Sequence, residues 1–141
     1  MEVQLNFLAI LVAGLASMGL GFFWYSPMLF GNPWMKMTGY TKESMDEAQK
    51  KMGMMYVLSF AATLIMAWVL TYAVQFAQYA TRTDWLYIGL STGFWMWLGF
   101  ITPVQLTDVI FGNKQWKLYA INTSYQLVSL LIMGAILGIW R

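Results

Sequence analysis

The residues whose types and spacing suit chemistry are few, and they gather where the third apolar stretch of the chain ends and the fourth begins. Gln105 and Asp108 lie about one helical turn apart, as do Asn122 and Gln126. A carboxylate among amides at membrane depth is an arrangement that lines a path for an ion or a small solute, because an ionisable group in lipid is costly and usually functional. The structural alternative puts Asp108 at headgroup level, paired with Lys114 or Lys117 and simply ending its helix. Asn122 has its own structural reading, as an amide bonding across to the Gln105–Asp108 segment and fixing the loop beyond it. Interhelical bonds of that kind contribute about 0.6–2 kcal/mol and need no substrate.

The remaining inventory excludes more than it offers. The chain has no His and no Cys, so imidazole acid–base chemistry, thiol nucleophiles, disulfides and the usual zinc sites are ruled out. Its twelve Met include the neighbours Met35 and Met37 and the group Met52, Met54 and Met55. Thioethers suit Cu(I), but without His or Cys beside them they read as adaptable packing residues, and no metal is expected. Gly31 and Gly112 are single glycines, without the phosphate-cradling loop and its lysine. Neither an enzyme nor a cofactor is expected. A net charge of +2 is too small to argue for nucleic acid.

What must position these residues follows from composition. The chain is one domain by length, 60% hydrophobic and only 10% charged, against about 25% charged in an ordinary soluble domain. No charge lies between Glu2 and Lys36, Lys51 and Arg82, Asp84 and Asp108, or Lys117 and Arg141. Each gap holds the roughly 20 residues a helix needs to cross lipid, where backbone groups must be satisfied within the segment. The expectation is an all-α integral membrane bundle with four spans at about 5–25, 54–76, 85–104 and 118–140.

One phrase occurs twice: Phe30-Gly31-Asn32 and Phe111-Gly112-Asn113. Each copy follows an apolar run with a hydroxyl–proline pair (Ser26-Pro27, Thr102-Pro103) and precedes a Trp and a Lys. The pattern predicts a two-fold repeat of helix pairs, each hinged on an interfacial loop, with Pro103 breaking or kinking the third span near its end. Small residues every fourth position mark packing faces: Ala9, Ala13, Ser17 and Gly21 in the first span, Ser59, Thr63, Ala67 and Thr71 in the second. Gly89 with Gly93, and Gly134 with Gly138, are GxxxG pairs, more than one small bundle obviously needs, so a homo-oligomer is expected. Residues 41–51, with a Ser44–Glu47 capping pattern, predict a short amphipathic surface helix. Six lysines in the two Phe-Gly-Asn loops, against Arg82 and Arg141 on the other side, place both loops in the cytoplasm and both termini outside.

The run Trp24-Tyr25-Ser26-Pro27-Met28-Leu29-Phe30-Gly31-Asn32-Pro33-Trp34 resembles the first signature of a bacterial family of small four-helix membrane proteins, the domain of unknown function DUF seventeen-sixty-one. Phe111 to Leu118, Ile121-Asn122 and the closing Leu131 to Gly138 resemble its second half. The resemblance implies an inner-membrane protein with four spans, and carries no activity, substrate or catalytic residue. The expected function is therefore a small channel or transporter along Gln105, Asp108, Asn122 and Gln126, its substrate a small solute or ion. The alternative is a non-transporting scaffold that uses its cytoplasmic loops, and membrane lipids are partners in either case.

Overall fold

A computed structural model describes residues 2–39 and 42–141, the side chains of Lys42 and Met45 apart. Its helices are α1 (Phe7–Trp24), α2 (Gly31–Thr38), α3 (Lys42–Gln49), α4 (Met52–Thr81), α5 (Trp85–Met96), a π-turn (Trp97–Ile101), α6 (Thr102–Gly112) and α7 (Trp116–Ile139). Four membrane-spanning stretches result: α1, α4, the continuous Trp85–Gly112 helix and α7. Span α7 touches the other three and forms the axis of the bundle.

The small residues decide how the helices meet. On α1, Ala9, Ala13 and Ser17 are buried, and α1 packs against α4 and α7 along them. The stripe on α4 is used only in part. Ala67 and Thr71 are buried, whereas Ser59 is exposed and the residues of the first turns of α4 are mostly exposed, Tyr56 meeting Phe22 of α1 edge-on. The two GxxxG pairs face each other. A Cβ added to Gly89 would lie 2.1 Å from the Gly134 carbonyl oxygen, one on Gly93 2.5 Å from that of Leu130, and one on Gly138 2.4 Å from that of Trp85. Both glycine faces are thus used within one chain, in the contact between α5 and α7, and neither remains for a second copy. This backbone-to-backbone contact closes the seam between α5 and α7, and Met133, Val74, Leu70 and Leu137 belong to the buried core of the bundle.

Pro103 does not end the third span. It stands at the start of α6, where its missing N–H costs least, and the π-turn before it absorbs the change of register. The Thr102 N–H reaches the Trp97 carbonyl, five residues back. The helix then runs on to Gly112, so the expected boundary near residue 104 is corrected by two turns, and Asp108 with the second Phe-Gly lies inside the helix. A helix rises about 1.5 Å per residue and lipid tails span about 30 Å, so 28 residues overrun the core and the last turns of α6 reach the headgroups.

At the first Phe-Gly-Asn, sequence reasoning expected a loop and missed α2. Pro33 is its third residue, in the first turn where no intrahelical N–H bond is due, so it starts the helix instead of breaking it. The surface helix expected over residues 41–51 is α3, ending at Gln49 and separated from α4 by a turn at Lys50-Lys51. Ser44 lies within α3 and not at its cap, and Thr41 lies outside the described residues.

Candidate functional site

Polar side chains on α7 form two seams on either side of the helix. Towards α1, the hydroxyls of Ser17 and Ser129 meet at 2.6 Å in a buried position, and the Tyr125 hydroxyl donates to the Ser17 carbonyl at 3.0 Å. Higher on the same side, Trp24 Nε1 donates to the Ile121 carbonyl at 3.2 Å, and the Tyr25 hydroxyl donates to Asn122 Oδ1 at 2.7 Å. Tyr25 stacks edge-on against Tyr125 and Trp34, with ring centroids 5.4 and 5.7 Å away. Burial, and then the neighbouring Tyr125, push the Tyr25 phenol above its ordinary pKa, so it remains a proton donor to Asn122.

Towards α6, Thr123 Oγ1 donates to Gln105 Oε1 at 2.5 Å, Trp97 Nε1 to the Thr123 carbonyl at 2.8 Å and the Tyr119 hydroxyl to the Thr102 carbonyl at 3.3 Å. Between the seams, at the lysine-rich end, lies a niche of about 110 Å³. Its walls are Gln105, Asp108, Lys114, Tyr119 and Asn122, and the buried side chains of Val109 and Leu118 close it on the apolar side.

Of the four residues expected to share a polar path, Gln105, Asp108 and Asn122 line this niche and Gln126 does not. Gln126 sits a turn deeper, its Oε1 buried and without a hydrogen-bond partner among the described residues. Asp108 is exposed, and among the described residues it has no ion pair with Lys114 or Lys117 within 4.0 Å. Asn122 does not bond to the Gln105–Asp108 segment through its carbonyl oxygen. That atom is held by Tyr25, so Asn122 ties α7 to the first loop instead of the second. Sequence reasoning missed Tyr25, Tyr119 and Thr123, and considered Lys114 only as an ion-pair partner of Asp108. The usable signal was the spacing Tyr119, Asn122, Thr123, Gln126 along one helix, which keeps all four on neighbouring faces.

A wider cup of about 390 Å³ lies at the opposite end, with Gln4, Gln75, Gln78, Arg82, Trp85 and Arg141 among its walls. Much of its polarity is already engaged. Gln75 Oε1 accepts from the Gln4 backbone N–H at 2.9 Å while its Nε2 donates to the Gln4 carbonyl. Gln78 donates to the Thr83 carbonyl, and the Arg141 guanidinium stacks 4.4 Å over the Trp85 ring. The cup fastens the segment before α1 and the end of α7 to α4 and α5.

Four helices long and apolar enough to span, packed around a largely apolar core with charges gathered at the two ends, define a small multi-pass membrane protein. The family model described as "Protein of unknown function (DUF1761)" matches residues 8–138, nearly the whole chain, and the chain belongs to that family. No curated protein and no solved structure matches it.

Proposed function

We propose that this protein is a non-transporting membrane protein that works through its lysine-rich end, contacting a partner or headgroups there with α2, α3 and the turn before α7. The observation that carries this reading is the backbone contact of Gly89 with Gly134 and of Gly93 with Leu130. It packs α5 directly on α7 between the niche and the opposite cup, and the buried Met133, Val74, Leu70 and Leu137 lie in the core beside it, which supports a bundle that does not conduct. On this reading the protein resides in the bacterial inner membrane, with the lysine-rich end in the cytoplasm and both termini outside.

Transport keeps two observations in its favour: the niche touches both Asp108 and Asn122, and the π-turn before Pro103 lies one to two turns away, where a helix bends most readily. Reconstitution into liposomes separates the two. Ion and small-solute flux equal to that of empty liposomes supports the non-transporting reading. A protein-dependent flux abolished by Asp108→Asn, with assembly intact, would replace it with transport. The orientation is tested in the Cys-free background by Gln115→Cys and Thr83→Cys, labelled with a membrane-impermeant maleimide on intact spheroplasts. Labelling at position 83 alone agrees with the proposed topology, and labelling at position 115 alone reverses it.

A further inference from the structure

The niche between α6 and α7 has a chemistry that its hydrogen bonds bias towards donors. Gln105 and Asn122 each present an amide, with one acceptor oxygen and one NH₂ group. Both oxygens are already held by hydroxyl donors, Gln105 Oε1 by Thr123 and Asn122 Oδ1 by Tyr25. Each oxygen thus has one of its two lone pairs engaged, whereas neither NH₂ group donates to a partner among the described residues, so the free capacity of the two amides leans towards donors. The Tyr119 hydroxyl hydrogen is likewise engaged, on the Thr102 carbonyl. Lys114 adds an ammonium at the rim, and the positive end of the α7 dipole lies beside it, with no side chain capping the first turn. Against this donor-rich wall stands one carboxylate, the exposed Asp108.

We infer that this niche binds a phosphoethanolamine group: the phosphate faces Lys114 and the NH₂ groups of Gln105 and Asn122, and the primary ammonium faces Asp108. The dimensions agree. At about 110 Å³ the niche is well below the roughly 300–1,000 Å³ of pockets that enclose a whole small-molecule ligand, and it suits a headgroup whose remainder stays outside. Its place at the ends of two membrane spans makes the lipid, phosphatidylethanolamine, the source of that group in preference to a free phosphoethanolamine. Basic pockets between helices at this level are a general means of holding lipid headgroups. The carboxylate adds discrimination. It favours a lipid with a compact ammonium over an anionic one such as phosphatidylglycerol, and over the bulkier quaternary ammonium of phosphatidylcholine. The inference is independent of whether the lysine-rich end also recruits a protein.

The test uses the full chain in detergent, offered an equimolar mixture of phosphatidylethanolamine, phosphatidylglycerol and phosphatidylcholine, with retained lipid read by native mass spectrometry. The wild type should retain phosphatidylethanolamine in preference. Lys114→Gln should lower that retention about fivefold, the worth of one lysine near a headgroup. Asp108→Asn should keep lipid bound but erase the preference for phosphatidylethanolamine over phosphatidylglycerol. Lys117→Gln, equally basic but outside the niche, should change neither. All three side chains are exposed, so folding should be retained, and unchanged melting temperatures verify it. Equal retention of the three lipids by wild type, or retention indifferent to Lys114 and Asp108, overturns the inference. Displacement of the lipid by an equal concentration of free O-phosphoethanolamine overturns the lipid source and assigns the site to the soluble group.

Discussion

The two Phe-Gly-Asn copies carry the same letters and do opposite things. In the first, Phe30 precedes α2 and Gly31 is its first residue; in the second, Gly112 is the last residue of α6 and Asn113 follows it. Gly31 is buried against a tight reversal in which the Gly31 N–H bonds the Ser26 carbonyl at 2.9 Å and the Phe30 N–H bonds the Trp24 carbonyl at 3.0 Å. Phe30 lies against Trp24, with ring centroids 5.1 Å apart, whereas Phe111 is 84% exposed. The working residue also changes. In the first copy it is the glycine, needed because no side chain fits. In the second it is the asparagine, which takes the left-handed conformation at φ 51° that ends the helix. Three identical residues do not encode a local structure; their neighbours do. Pro33 initiates a helix after the first copy, and nothing comparable follows the second.

The largest effect that would test this contrast is Gly31→Ala. An added Cβ would lie 2.5 Å from the Tyr25 carbonyl oxygen and 2.7 Å from the Ser26 carbonyl, both backbone atoms that cannot swing aside. The reversal must open, losing its two backbone bonds, and we expect a cost of about 3 kcal/mol or more. Thermal unfolding in detergent reads it directly. A melting temperature lowered by less than about 2 °C would mean that the first copy is as tolerant as the second, and the contrast would fail.

Next come the phenols that hold α7 to either side. Tyr25→Phe leaves Asn122 Oδ1 without its donor, and should cost about 1–2 kcal/mol. Tyr119→Phe removes only the longer 3.3 Å bond to the Thr102 carbonyl near the second copy, and should cost less, about 0.5–1 kcal/mol. A cycle of Tyr25→Phe with Asn122→Leu should show coupling of about 1 kcal/mol, and additive losses would disprove the pairing.

These differences mark what the sequence can carry. The four spans were legible because lipid leaves one backbone solution, and the positions of fourteen charges mark where lipid begins and ends. The α1 stripe was legible for a related reason: small residues every fourth position let a neighbouring helix approach, although the same spacing on α4 is buried only at Ala67 and Thr71. The glycine pairs were legible as close contacts but not as contacts with each other, since glycine permits approach without naming a partner. Helix α2 was not legible because a Gly-Asn-Pro run looks like a breaker until the helix start is located, and the same proline then becomes an initiator. At the niche, Gln105, Asp108 and Asn122 were found from polarity and helical spacing. Gln126 was grouped with them by the same spacing but lies a turn deeper on α7, outside the niche, because spacing along one helix does not say where a cavity between two helices ends.

Asn113 separates the two asparagines in the same way. Asn113→Ala forces a β-carbon into left-handed backbone without the local bonding an Asn side chain provides, at about 1 kcal/mol, while Asn113→Gly should be neutral or slightly stabilising. Asn32→Ala, at an exposed position in the first turn of α2, should change the melting temperature by no more than the measurement error.

The smallest effect sharpens the comparison most, because its sign is opposite to the first. Gly112 has ordinary helical backbone, and a Cβ added there meets only the flexible Lys114 side chain, at 3.7 Å. Nothing must move. Alanine narrows the unfolded ensemble and favours the last turn of α6, so Gly112→Ala should stabilise the protein by up to about 0.5 kcal/mol. The same substitution in the same three-residue phrase is then expected to unfold one copy and firm the other. If Gly112→Ala instead destabilises by 1 kcal/mol or more, on the order of a lost cap, the second glycine has a packing role as strict as the first. The two loops would then be true structural repeats, differing only in which helix they border.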